Sequence, residues 1–244
     1  MANLSQLKIL EATDGFLCVD KPAGIPFSSV VKAVKRKFNL VKLGHGGSLE
    51  AMASGLLVLL VNDASRYSAD IMGADRAWTG TMRLGVATDT HDIHGRVLSE
   101  TTVSQLPSPE RLDEAAREFR GDIFQTESRF SSIRKEMSAS YEIADTGEHK
   151  PFLSHVYRFE PAADETPGAP ARVRFSLEGT KGVIVRTLAD GFGKALGCGA
   201  ALETLTRTRV GRFDLESAIP FDKLMQTDLN SLPSLVMPLS AMRA

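Results

Sequence analysis

Short apolar runs separated by turn residues dominate the chain and predict strands, whereas a few amphipathic stretches predict helices. Residues 15–20 (GFLCVD) and 56–61 (LLVLLV) are almost entirely apolar, which is typical of buried strands. Further strands are expected at residues 78–84, 154–159, 171–177, 183–185 and 205–213. Helices are expected from a cap at Ser28 or Ser29, at residues 63–73 and 110–119, and from Thr187.

The order of these elements indicates the fold class. Strands outnumber helices and do not alternate regularly with them. This favours an α+β fold with a mixed, largely antiparallel sheet flanked by helices over a doubly wound parallel sheet. We expect one main domain over residues 1–219 and a short C-terminal tail over residues 220–244.

Composition is ordinary for a globular protein, with 43% hydrophobic and 24% charged residues in 244. Cys18 and Cys198 lie far apart without a framework of spacings, which favours reduced thiols. No apolar run is long enough to cross a bilayer, and the N-terminus lacks the pattern of a secretory signal. The expectation is a cytoplasmic protein without membrane contact, and nothing in the sequence demands more than a monomer.

Charge is distributed unevenly although the formal net charge is only −1. No acidic residue lies between Asp20 and Glu50, and the lysines and arginines of this interval form a basic segment: Lys21, Lys32, Lys35, Arg36, Lys37 and Lys42. Arg207, Arg209 and Arg212 form a second acid-free group. Such groups are solvated helix faces in many proteins, but a polyanionic ligand is the alternative.

The segment GHGGSLEAMASG, residues 44–55, is the main candidate for chemistry. Its four glycines allow a sharp turn and a close approach of backbone to a ligand. Glu50 is the only acidic residue in it, and the predicted strand at residues 56–61 follows at once. A lone carboxylate on a tight, braced turn is a way to present a reactive group.

Several segments resemble, in the same order, motifs of the TruB family of tRNA pseudouridine synthases. They are GFLCVDKPAG at residues 15–24, the glycine segment at 44–55, DRAW at 75–78 with RLGVATDT at 83–90, and KGVIVRTL at 181–188. LGCGA at 196–200 and LTRT at 205–208 follow at the family's distances. The resemblance covers roughly residues 15–214.

The resemblance implies an RNA-modifying isomerase that turns a uridine of tRNA, in the T-loop, into pseudouridine. It places Glu50 at the catalytic acid, Arg186 at the cation that pairs with that acid, and Trp78 at the aromatic residue that stacks on the base. Other matched positions lining the site are Lys21, His45 and Ile184. The partner is tRNA, the basic segment would follow RNA phosphates, and neither a cofactor nor a metal is implied.

The chain departs from the family pattern at the reactive position itself. Glu50 stands where the family has Asp, and Ala51 stands where it has Pro. The segment QTESRFSSIR, residues 125–134, lacks the two prolines of a further motif, and about thirty residues after Asp214 are too few for an RNA-binding domain of the PUA type. The alternative function is therefore a catalytically inactive, tRNA chaperone-like RNA-binding protein that retains the fold.

Two candidate site residues and one loop can also be explained by structural roles alone. Trp78 is the only tryptophan and could simply fill the core. Arg186 follows the apolar residues 183–185, and a buried arginine needs a carboxylate or similar partner in either case. The acids and histidines of one loop, Asp89, His91, Asp92 and His94, match no strong zinc spacing, so no physiological metal is expected.

Overall fold

The computed structural model describes residues 13–126 and 151–242. These residues form two compact units, one made of residues 13–74 and 207–242 and the other of residues 75–126 and 151–206. Residues 125–134, which depart from the family motif, are described only as far as residue 126.

The first unit is a small sheet with helices packed on both faces. Its strands are β1 (Gly15–Lys21), β2 (Leu43–His45), β3 (Ser54–Val61), β11 (Phe213–Asp214) and β12 (Ile219–Pro220). Its α-helices are α1 (Phe27–Lys37), α2 (Ser68–Gly73), α5 (Phe221–Gln226) and α6 (Leu232–Leu235). β3 pairs antiparallel with β1 and with β2, and β12 pairs parallel with β1.

β3 explains why the predicted run at residues 56–61 is apolar throughout. Leu57 and Leu59 pack on one side of the sheet with a cluster that includes Val34 of α1. Leu56 and Leu60 pack on the other side with a second cluster, which includes Ile71 of α2. A strand covered on both faces has no solvent side on which polar residues would be favourable. The predicted buried strand is confirmed.

The second unit is an antiparallel sheet with the order β4, β9, β8, β7. These strands are β4 (Arg76–Leu84), β7 (Gly121–Gln125), β8 (Phe152–Asp164) and β9 (Arg172–Gly179). A separate pair consists of β5 (Val86–Thr88) and β6 (Val97–Glu100), and the helices are α3 (Pro109–Arg117) and α4 (Val185–Leu196). β10 (Ala200–Val210) gives its residues up to Thr206 to this unit and the remainder to the first.

The predicted α+β class with a largely antiparallel sheet is confirmed, with local corrections. The expected strand at residues 183–185 is wrong, because Val185 begins α4 and residues 183 and 184 lie in no strand. α1 begins at Phe27, and Pro26 occupies the cap position instead of Ser28 or Ser29. The fixed φ of proline suits that entry to a helix.

α4 runs without a break through two glycines because close packing requires them. A Cβ at Gly193 would lie 2.0 Å from the backbone nitrogen of Ala200. A Cβ at Gly191 would lie 2.7 Å from the ring of Phe119. Glycine inside a helix lowers its stability, and the close packing of neighbouring residues offsets that loss here.

The C-terminal residues that the structure describes pack into the first unit. Leu224 of α5 and Leu232 of α6 are fully buried in the cluster that contains β1. The Met237 and Phe16 backbones exchange two hydrogen bonds, of 2.8 and 2.9 Å. The predicted division of the chain at residue 219 stays a prediction.

Cys18 and Cys198 are both free thiols. Burial is the main cause that raises the pKa of Cys18 to about 12, so this thiol stays protonated at neutral pH. Within the described part of the chain, none of the helices has the length and apolar character needed to cross a membrane.

Candidate active site

The glycine segment forms the connection between β2 and β3 in the first unit. A Cβ at Gly46 would lie 2.3 Å from the side chain of Ile71, and Gly47 has φ +125°, so both positions require glycine. The Ala53 N–H donates to the Glu50 carbonyl at 3.1 Å, which closes a short turn around the half-buried Glu50. Two paired strands thus hold the turn that carries the candidate carboxylate.

Lys21 lies beneath this turn with its side chain fully buried. Its Nζ donates hydrogen bonds to the carbonyls of Pro22 at 2.9 Å, Ile25 at 2.8 Å and Ala51 at 3.3 Å. The Gly24 N–H also donates to the Ala51 carbonyl, at 2.7 Å. Lys21 therefore ties the turn after β1 to the residue that follows Glu50, and its contact with substrate stays a prediction.

Arg207 is a second buried cation at the same turn, although the sequence gives it no site role. Only 2% of this residue is exposed. Its Nε donates to the Leu56 carbonyl at 2.9 Å and its Nη1 to the Ser48 carbonyl at 2.7 Å. The sequence showed an acid-free group of three arginines, whereas the structure removes this one from the surface.

His45 ends β2 and packs against α1. Its ring lies 5.0 Å from that of Phe27 in an edge-on arrangement, and the Gly47 N–H donates to its Nδ1 at 3.3 Å. Burial, and secondarily the charge of Arg207, lowers the pKa of His45 below its ordinary value. The imidazole is thus held in the neutral form that can accept this hydrogen bond.

The remaining candidates Trp78, Ile184 and Arg186 belong to the second unit. Trp78 lies on β4 opposite Leu177 of β9 and is only 6% exposed. Interior packing is therefore its observed environment. Stacking on a base stays a prediction.

Arg186 lies in the first turn of α4 and is 5% exposed. Its Nη1 donates to the Thr90 carbonyl at 2.7 Å, and its Nε lies 4.0 Å from Oδ2 of Asp92. The other carboxylate oxygen of Asp92 accepts from the Thr90 hydroxyl and from the His94 N–H, each at 2.9 Å. The loop after β5 thereby holds the guanidinium in place.

Asp92 faces the candidate residue Arg186, a contact that the sequence does not reveal. The sequence only groups Asp92 with Asp89, His91 and His94 in a loop for which no metal is expected. Among the described residues, no three His, Cys, Asp or Glu side chains converge as metal ligands. Its place two residues after the Thr90 of the TDT motif was the available signal.

Ile184 occupies the N-cap position of α4, and its side chain makes no capping hydrogen bond. The amide of Gln125 takes this part instead: Ile184 N–H donates to Gln125 Oε1 at 3.1 Å, and Gln125 Nε2 donates to the Ile184 carbonyl at 3.0 Å. Gln125 is 5% exposed and belongs to β7. It therefore fixes the backbone two residues before Arg186.

The basic segment is largely on the surface, apart from Lys21. The exposed members are Lys32, Lys35, Arg36 and Lys42, while Lys37 is half-buried. Val30 and Val34 form the buried face of α1. Positive charge in the last turn of α1 also suits the negative end of the helix dipole, so RNA contact stays a prediction.

The first unit carries a carboxylate on a fastened glycine turn, and the second carries a buried, carbonyl-bound arginine at a helix start. Family comparison agrees with these features. Residues 35–185 match the model of the TruB family pseudouridylate synthase N-terminal domain. Residues 186–242 match that of the tRNA pseudouridylate synthase B C-terminal domain. The chain belongs to the TruB family.

Curated relatives support the same membership. A tRNA pseudouridine synthase B of Azoarcus sp. (strain BH72) is 35% identical over 234 residues, which is 95% of this chain and 76% of the relative. One of Burkholderia pseudomallei (strain 668) is 38% identical over 87% of this chain and 70% of its own length. One of Opitutus terrae is 35% identical over 92% of both chains.

Solved structures share the fold at lower identity. A chain of a Cbf5–Nop10–Gar1 complex matches 96% of this chain and 62% of its own, with a TM-score of 0.71 and 23% identity. A chain of an H/ACA RNP bound to a substrate RNA containing 2′-deoxyuridine gives a TM-score of 0.65 at 24% identity, over 92% of this chain and 55% of its own. At such identity these structures support the fold and nothing further.

Proposed function

We propose that this protein converts a uridine of tRNA, in the T-loop, to pseudouridine. Membership of the TruB family and the relatives named tRNA pseudouridine synthase B support the substrate class. The observation that carries the proposal is the turn around Glu50, whose backbone is fastened at Ser48 and Ala51 by two buried cations. A backbone held in this way fixes the point from which the Glu50 side chain projects, and such positioning favours reaction.

The reaction exchanges one bond of the uridine for another. The target base leaves the stack, the bond between base and sugar breaks, the base rotates, and a carbon–carbon bond forms, without net gain or loss of atoms. Glu50 is proposed as the carboxylate that acts at the sugar–base junction. Arg186 is proposed as the cation that favours an ionised acid, and Trp78, His45 and Ile184 as contacts of the base.

Glutamate at this position sets a specific geometric demand. Its side chain is one methylene longer than that of aspartate, about 1.5 Å. A displacement of roughly 1 Å can cost about a hundredfold in rate, so the backbone must compensate for the added length. Ala51 in place of proline leaves φ free to do so at the next residue. We therefore expect turnover by the natural chain.

RNA affinity is proposed to come from the exposed members of the basic segment. Four cations on and after α1, with no acid between Asp20 and Glu50, suit a run of phosphates. An enzyme that modifies tRNA is expected in the cytoplasm. A monomer suffices for the proposed reaction. Neither a cofactor nor a metal has a part in it.

The second candidate is a tRNA-binding protein without turnover. The observation that favours it is the same Glu50, because a longer acid in an otherwise rigid turn would be misplaced. Both candidates predict binding of tRNA, so binding alone does not separate them. Product formation does.

The deciding experiment incubates the purified protein with unmodified tRNA transcript and maps pseudouridine by position. We expect product at a T-loop uridine with the natural chain, and none with Glu50→Gln. Asp70→Asn serves as the control, because Asp70 is an exposed acid of α2. Retained tRNA binding without any pseudouridine from the natural chain would favour the second candidate, and product gained by Glu50→Asp with Ala51→Pro would establish it.

A further inference from the structure

Arg207 makes contacts that bracket the proposed catalytic turn. Its two hydrogen bonds end on the carbonyls of Ser48 and Leu56, two residues before Glu50 and six residues after it. These carbonyls belong to the two ends of the segment whose conformation determines where the carboxylate points. One rigid group therefore sets the separation of both ends.

Because the Arg207 guanidinium is buried, we look for its role in the protein interior and not at the surface. Arg207 lies on β10 and is only 2% exposed. A charge removed from water is unfavourable unless fixed dipoles or counter-charges replace the solvent. Backbone carbonyls supply part of that replacement here, and they are the same carbonyls that define the turn.

The shape of the side chain matters as well as its charge. A guanidinium is planar and directs its N–H groups in fixed directions, so it can hold two carbonyls at a set distance. An ammonium is a compact point charge with rotatable donors, as at Lys21. The two cations are therefore not equivalent, and only the guanidinium spans the turn from Ser48 to Leu56.

We propose that Arg207 is the positioning residue of the turn that carries Glu50, and that its two donated hydrogen bonds place the carboxylate for reaction. Its effect on turnover rests on the proposed function. Its effect on the conformation of residues 48–56 does not. Arg207 also keeps a positive charge near His45, and this charge contributes to the lowered pKa of that imidazole.

The test compares Arg207→Lys and Arg207→Gln with the natural chain. Arg66→Gln is the matched control, because Arg66 is an exposed arginine of the same unit that lies over the Tyr67 ring. Four quantities are measured: amide hydrogen exchange across residues 48–56, the His45 pKa by NMR titration, the single-turnover rate constant, and the Kd for tRNA transcript.

Both Arg207 variants are expected to exchange the amides of residues 48–56 faster, since neither keeps the fixed N–H directions of the guanidinium. The His45 pKa should rise in Arg207→Gln and stay near that of the natural chain in Arg207→Lys, which keeps the charge. The rate constant should fall about a hundredfold in both, with the Kd for tRNA little changed. The control should alter none of these.

Unchanged exchange across residues 48–56 in Arg207→Lys would overturn the proposal, and so would a rate constant equal to that of the natural chain. If Arg207→Gln does not fold, Arg207→Lys still decides through exchange. If the natural chain forms no pseudouridine, the proposed function fails, while exchange and the His45 titration still test the placement of the turn.

Discussion

Gln125 provides the sharpest test of how the start of α4 is held. Gln125→Met keeps the length of the side chain but removes both hydrogen bonds to Ile184. The Ile184 N–H and carbonyl then lose their amide partner, and Arg186 lies two residues further along the same backbone. The perturbation is thus confined to one contact between β7 and the cap position of the helix.

The magnitude follows from the two lost contacts. A hydrogen bond contributes about 0.5–1.5 kcal/mol net, and a buried group left without a partner costs about 1–3 kcal/mol. Ile184 is half-buried, so water can replace part of the loss. We expect the free energy of unfolding to fall by about 1–3 kcal/mol and the Ile184 amide to exchange about tenfold faster or more.

The assay is urea unfolding together with hydrogen exchange followed at single amides. Gln105→Met is the matched control, because Gln105 is exposed in a loop of the same unit and should change the free energy by less than about 0.5 kcal/mol. The reasoning fails if Gln125→Met stays within about 0.5 kcal/mol of the natural chain and leaves exchange at Ile184 unchanged.

Three further predictions concern the other fastened groups. Lys21→Met removes the donor shared by three carbonyls and should lower the free energy of unfolding by about 1–3 kcal/mol in thermal or urea unfolding, whereas the exposed Lys32→Met should change it little. Asp92→Asn removes the charge that faces Arg186 and should lower the single-turnover rate constant about tenfold or more while tRNA affinity, measured by filter binding, is retained. The lowered pKa of His45 means that the unfolded chain takes up its proton first as pH falls below about 6.5, so stability is lost on acidification. Urea unfolding between pH 7 and 5 should show a smaller loss in His45→Asn, and an equal loss would contradict this sign.

Three buried cations of this chain donate hydrogen bonds to backbone carbonyls and thereby hold loops and turns in place. Lys21 and Arg207 do so in the first unit, and Arg186 does so at Thr90 in the second. Every residue has a backbone carbonyl that can accept a hydrogen bond, so the accepting residue cannot be recognised from its amino-acid type. The sequence therefore shows the cation and hides its partner.

Elements with a local cause could be predicted from the amino-acid sequence alone. The apolar face of α1 and the uninterrupted apolar run of β3 gave correct elements, because periodicity and length reflect burial directly. The glycines of residues 44–55 predicted a tight turn, and Gly46 and Gly47 require it. The ordered motifs predicted the family.

The pairing of polar groups, by contrast, depends on how the chain folds. Gln125 and Ile184 are 59 residues apart, and Arg207 and Ser48 are 159 residues apart, so no local pattern links them. The strand expected at residues 183–185 became the start of a helix because packing and a distant amide outweighed the β-propensity of Val and Ile. Contacts of this length are fixed by the folded sheet, which brings remote backbone within reach of a buried side chain.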